Sequence, residues 1–281
     1  MRYGIAVNTH NCMACYNCVM ACKDEHCGFA TEVSAPQPHE GQFWVNIQSR
    51  ERGDDNRRIK TVNVPVICGC FDNDAFRRAI EAGWMVRRDD GIVYIDPEKA
   101  RGRRELLEAS PAGGIFWNEE LCLAQKCTMC AHLLDEGYEK PRCVEACPNG
   151  ALHFGDLDDP ESEVSRVIRE NRITPLPGTE GLDTNVIYLN LPSVFLAGSV
   201  YLPGDETGEE PAANASVVLT CAETGERLRG RTNYFGDWEF EALQKDAHYG
   251  IEITYPGYKT VKLAALTDTD HFVGEMVLRE L

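Results

Sequence analysis

The 281-residue sequence predicts an α+β protein: a cysteine-bearing part interrupted by an insert, then an all-β sandwich or barrel. Three observations carry this. Twelve of the thirteen cysteines lie in the first 147 residues. Eight of them form two tight groups, Cys12-x2-Cys15-x2-Cys18-x3-Cys22 and Cys127-x2-Cys130-x12-Cys143-x3-Cys147-Pro148. From residue 193 the pattern changes to short alternating segments punctuated by Gly, Pro, Asn and Asp, the rhythm of a small sandwich or barrel.

Taken in order, RYGIAV (2–7) reads as a strand leading into the first cysteine group, and 16–25 as a short helix. QFWVNIQSR (42–50) and TVNVPVI (61–67) read as strands, 72–82 as a helix and GIVYI (91–95) as a strand. Asp96-Pro97 has the form of an N-cap and first-turn proline, predicting another helix. ALHFG (151–155) is strand-like, and RITPLPGTEGLDTN (172–185) reads as a surface linker. Seven strand candidates come after it: SVFLAGSVYL, ASVVLTC, ERLRGRT, DWEFEAL, YGIEITY, YKTVKLAAL and HFVGEMVL. The expected domains are 1–48 with 118–171, an insert 49–117, a linker 172–192, and a β domain 193–281.

Composition excludes several functions. A 43% hydrophobic content is that of a folded chain, and no apolar run approaches the roughly 18–20 residues that span a bilayer. The net charge of −17 argues against nucleic acid or an anionic membrane surface as the main ligand. Only the insert is charge-balanced, with 13 Lys/Arg against 12 Asp/Glu, as a solvated face or a partner-docking surface would be. MRYGIAVNTHNC has neither an apolar signal core nor a twin-arginine pair, so the expected location is cytoplasmic, or exported as the passenger of a signal-bearing partner. There is no phosphate-binding glycine loop, nucleophile elbow or HExxH, and so no evident substrate chemistry. Pairs such as Asp89-Asp90 and Asp158-Asp159 read as turn and surface residues.

The cysteine spacing is that of a bacterial-type two-cluster ferredoxin. There, three close cysteines wrap one 4Fe–4S cubane and the fourth reaches across to the other. Cys12, Cys15, Cys18 and Cys147 are accordingly the expected ligands of cluster one, and Cys22, Cys127, Cys130 and Cys143 of cluster two. Structural zinc would accept Cys-x2-Cys pairs, but the Cys-x2-Cys-x2-Cys-x3-Cys run suits a cubane better. Cys27, Cys122 and Cys221 are expected as buried small hydrophobes, the first two near the clusters. Trp44, Trp84 and Trp117 read as core or interface aromatics that could also shield a cluster, and His10, His26 and His132 as neighbours of the cysteine groups rather than ligands.

Two cysteine groups bracketing a long insert resemble the iron–sulfur subunits of molybdenum enzymes of the dimethyl-sulfoxide-reductase family. QFWVNIQSRERG (42–53), GIVYIDPEKARGRRELLE (91–108), IFWNEELCLAQKCTMCAHLLDEGYEKPRC (115–143) and TNYFGDWEFEAL (232–243) resemble the small subunits of the pyrogallol–phloroglucinol transhydroxylase-like members. Those subunits carry a third cluster, whose ligand positions here are Ile67, Cys70, Ala75 and Ser110, with Cys68 displaced by two residues. One surviving thiolate implies no third cubane and makes the insert a degenerate ferredoxin-like domain. Residues 233–258 resemble prealbumin-like or carboxypeptidase-regulatory-like modules. The resemblance implies an electron-transfer subunit that serves a large, molybdopterin-bearing catalytic partner performing transhydroxylation or dehydroxylation of phenols. A structural subunit stapled by its clusters, or a free-standing ferredoxin with a binding tail, are the rival readings.

Overall fold

Strand β1 (Tyr3–Asn8) is buried from Gly4 to Asn8, which explains an apolar run that does not alternate. It passes through the first cysteine loop into helix α1 (Asn17–His26). In that loop Ala14 and Tyr16 take left-handed backbone angles without being glycine, a strain of ~1–3 kcal/mol each that concentrates at functional sites. A long ribbon follows, β2 (Val45–Asp54) and β3 (Arg57–Ile67). Helix α2 (Asp74–Glu81) starts where Asn73 accepts a hydrogen bond from the Phe76 N–H at 2.9 Å. Strands β4 (Met85–Arg87) and β5 (Val93–Ile95) pair antiparallel.

The helix expected after Asp96-Pro97 is instead one capped turn. Asp96 Oδ1 accepts from Glu98 N and Lys99 N at 3.0 and 2.9 Å, but Gly102 at φ 75° turns the chain away. Strands β6 (Ile115–Asn118) and β7 (Leu123–Lys126) form a hairpin. The second cysteine group comes next, with Met129 and Cys130 left-handed, and supplies the short helices α3 (Ala131–Asp135) and α4 (Arg142–Glu145). Strand β8 (Leu152–Asp156) lies antiparallel to β1. Helix α5 (Glu163–Glu170), absent from the predicted elements, is capped by Ser162 and buries Val164 against Ala6 and Leu189. Strand β9 (Val186–Leu189) then pairs parallel with the other edge of β1, giving the order β8-β1-β9. The segment expected as linker thus contributes a strand to the central sheet.

The computed structural model describes residues 1–54, 57–205 and 208–281. They fall into two units, Met1–Ser49 with Asn63–Leu191, and Arg50–Val62 with Pro192–Leu281. In the second unit the strands are β10 (Val194–Asp205), β11 (Gly208–Pro211), β12 (Ser216–Cys221), β13 (Arg227–Arg231), β14 (Asp237–Leu243), β15 (His248–Thr254), β16 (Val261–Leu266) and β17 (His271–Val277). All seven predicted strands are present, and β11 is additional. One sheet runs β11-β10-β14 with β17 also on β10, and the other runs β13-β12-β15-β16. Leu196, Val217, Leu219, Trp238, Ile251 and Ile253 share their common core. Gly198 is required there, because a Cβ would lie 2.8 Å from the Trp238 ring.

The ribbon tip belongs to this second unit, so the expected insert is divided, 50–62 here and 63–117 in the first unit. Arg52 donates to Asp270 Oδ2 and Oδ1 at 2.8 and 2.6 Å and lies over the Phe195 ring; Lys60 lies over the same ring and pairs with Glu239 and Glu241. Asp270 is only 12% exposed and also accepts from Phe195 N at 3.0 Å. Arg52→Ala leaves that carboxylate without its cation and is expected to destabilise the second unit by about 2 kcal/mol, read by urea unfolding. Arg52→Lys should recover only part, since one ammonium cannot reproduce the two-bond fork.

Candidate metal centres

Cys12 follows a 3-10 turn at the end of β1, Cys18 lies in the first turn of α1, and Cys147 follows α4. These three and Cys15 line one cavity, walled by Ile47, Pro65 and Leu152 among others. Burial raises the Cys12 thiol, and Cys147 and Cys15 raise it further; Cys18 is pushed up to about 12 by burial and then by Cys147, Cys12 and Cys15. Backbone N–H groups point at these sulfurs, from Ala14 to Cys12, from Val19 to Cys18, and from Ala151 to Cys147 Sγ at 3.3 Å.

Cys22, one helical turn beyond Cys18, belongs to a different neighbourhood. Burial holds its thiol well above the ordinary value, and Cys127 and Cys130 add to the effect. Cys143 is raised in the same way by burial, Cys130, Cys22 and Cys127. All four are buried, and Met129 N donates to Cys127 Sγ at 3.3 Å. His26 Nε2 lies 3.7 Å from Cys130 Sγ, and burial pushes His26 down to about 3, so a neutral ring faces the sulfur.

Two sets of four cysteines, all buried or half-buried except Cys15, would repel one another as thiolates and need cations to ionise together. An all-sulfur donor set suits iron–sulfur chemistry, and the left-handed loops aim N–H donors at the sulfurs as such a cluster requires. Among the described residues no three His, Cys, Asp or Glu side chains close on a single ion.

The positions aligned with a third site give a different picture. Ile67 and Ala75 offer no donor, and Ile67 N donates to the Tyr188 hydroxyl at 3.1 Å. Cys68, Cys70 and Ser110 do come together: burial pushes the Cys68 thiol up to about 11, Ser110 Oγ donates to Gly113 O at 2.6 Å, and Cys70 N donates to Asn185 Oδ1 at 2.8 Å. Between them and Cys127 lies the buried Lys126, which sequence reasoning passes over. Its only signal is a lysine abutting a ligand cysteine.

Other expectations are met unevenly. Trp44 is buried against His26, ring centroids 4.7 Å apart, whereas Trp84 and Trp117 lie under Arg103 and Arg104 at 4.4 and 5.2 Å. His10 is exposed and His132 pairs with Glu25 at 3.0 Å. Cys221 is buried in the β core and Cys27 is half-buried beside His39. Cys122, expected inside, is exposed because it occupies the tight β6–β7 turn at φ 48°. Asp90, expected at the surface, is buried, paired with Arg88 at 2.9 Å.

Comparison with known proteins finds iron–sulfur relatives. The family described as "4Fe-4S dicluster domain" matches residues 59–157. A tetrathionate reductase subunit of Salmonella typhimurium is 29% identical, over 69% of this chain and 75% of its own. An anaerobic dimethyl sulfoxide reductase chain of Escherichia coli is 28% identical, over 66% and 87%. Pyrogallol hydroxytransferase small subunit of Pelobacter acidigallici is 34% identical, over 91% of this chain and 92% of its own. A match of that identity along nearly the whole of both chains, joined to the cysteine sets above, places this protein: it belongs to the iron–sulfur small subunits of pyrogallol hydroxytransferase-like molybdenum enzymes.

Proposed function

We propose that the chain holds two 4Fe–4S clusters, one on Cys12, Cys15, Cys18 and Cys147 and one on Cys22, Cys127, Cys130 and Cys143, and relays electrons for a separate molybdopterin-bearing subunit. The observation that carries this is the single cavity shared by Cys147 and the three cysteines of the first loop, more than a hundred residues away in sequence. The clusters supply one-electron chemistry. The chain's own residues position the sulfurs, hydrogen-bond them from the backbone and exclude water from the second site. No third cubane is expected, because Ile67 and Ala75 cannot donate and Cys68, Cys70, Ser110 and Lys126 pack together there.

Partnership is supported by the first site's surroundings. Met13, Tyr16 and Met20 are 62%, 45% and 60% exposed beside the exposed Cys15, an apolar rim suited to a protein partner. The two-sheet second unit, prealbumin-like in its FGDWEF region, serves as further contact surface for the large subunit. The pyrogallol hydroxytransferase relative's name supports hydroxyl transfer on phenols in that subunit, with reductive dehydroxylation as the alternative chemistry. No helix among the described residues is long and apolar enough to cross a membrane. We place the complex in the cytoplasm, or exported with a signal-bearing large subunit. Iron and acid-labile sulfide should come to about eight each per chain, four per cubane. A value near twelve would overturn the two-cluster assignment and restore a third site.

A further inference from the structure

The two cysteine groups mirror each other, but the residues preceding them differ in kind. Asn11, before Cys12, is an exposed neutral side chain whose amide donates to Gly150 O at 3.2 Å. Lys126, before Cys127, is 2% exposed. Its ammonium donates to the carbonyls of Val93 and Cys127 at 2.8 and 2.7 Å and lies 3.9 Å from Cys70 Sγ. Three donors meeting three partners pin the charge in one place.

An ammonium taken out of water needs more than two carbonyl dipoles to compensate its lost hydration. Here the compensation comes from sulfur. Cys70 Sγ lies 3.9 Å from the ammonium, and the sulfur of the adjoining Cys127 would be anionic once it ligates a cluster. The lysine therefore sits between the Cys68–Cys70–Ser110 remnant and Cys127.

We propose that Lys126 is a positioning residue for electron transfer: its fixed ammonium raises the reduction potential of the cluster on Cys127 above that of the cluster on Cys12. The inference rests on the two-cluster reading given above. Adding an electron makes a cluster more negative, so an adjacent buried cation stabilises the reduced form more than the oxidised form. Burial keeps the effect from being screened by salt. The His26 ring facing Cys130 acts in the same direction if its N–H lies on Nε2. Glu25 acts in the opposite direction on Cys130, but its carboxylate is paired with His132 at 3.0 Å and Arg142 at 3.3 Å, which reduces its field. Electrons entering this subunit would settle first on the second cluster.

The test is a redox titration of the full-length chain in its complex, followed by electron paramagnetic resonance. Wild type, Lys126→Met and Lys126→Arg are compared, with iron determined on each. Lys126→Met should lower the reduced-to-oxidised ratio of the second cluster at least tenfold at the wild-type midpoint, 59 mV for a one-electron couple, and leave the first cluster unmoved. Lys126→Arg keeps the charge and should stay within threefold of wild type. Eight irons with an unmoved second potential in Lys126→Met refutes the proposal alone. Loss of the second cluster's iron in that variant would assign the lysine to assembly, and also refutes it. About four irons in the wild type would instead bring down the two-cluster reading and the proposal with it.

Discussion

Cys147→Ser is expected to disrupt the cluster of Cys12, Cys15 and Cys18, although it lies far away in sequence, and to leave the cluster nearer to it in sequence intact. Iron should fall by about one to four per chain, since a cubane left with three thiolates is either lost or holds its fourth iron only weakly. The reason is spatial: Cys147 lines the cavity of the first loop, while Cys143, four residues earlier, is raised by burial and then by Cys130, Cys22 and Cys127. Cys22→Ser should do the reverse and disrupt the second cluster. Because each cluster joins the first cysteine group to the second, either loss removes one of the two cross-links in the first unit and should lower its thermal stability. Spectra showing the sequence-local cluster lost in each variant would refute the crossed assignment.

Removing the β unit is expected to release the large subunit while sparing both clusters. All eight proposed ligands lie in Met1–Ser49 and Asn63–Leu191. A cut at residue 192 alone would strip the ribbon tip of its partners, leaving Arg52 and Lys60 without Asp270, Glu239 and Glu241. The ribbon should therefore be shortened in the same variant. Ser49 Oγ donates to Asn63 Oδ1 at 2.7 Å, so an Asn-Gly turn can join these positions in place of 50–62. Stable subunit interfaces of this kind commonly bury more than about 2,000 Å², and loss of one whole unit's share should reduce co-purification of the large subunit at least tenfold. Equal recovery with the shortened chain would show that the β unit faces some other partner. Iron near eight in the shortened chain is the internal check that the first unit remains folded.

Local pattern determined a good deal of this protein. Metal-ligand spacing is a property of consecutive residues, so the two cysteine groups can be read directly, and alternation with turn residues marks seven of the eight described strands after 193. Helix α5 carries local signals too, in Ser162 as cap and Val164, Val167 and Ile168 on one face, although it lies outside the predicted elements. The turn at Asp96 shows the limit of such reading: its capping bonds are real, yet helix propagation depends on the residues beyond the cap, and Gly102 ends it. Other features were decided by contacts between residues distant in sequence. VIYL is too short to declare itself a strand until β1 offers a parallel edge. The ribbon tip belongs to the β unit because Asp270 and Phe195, more than a hundred residues on, receive Arg52. Burial of Lys126 against Val93 and Cys70 is likewise a meeting of three separate segments. A lysine in sequence is by default a solvated charge, and only the tertiary structure, by removing water and supplying sulfur, makes it a fixed one.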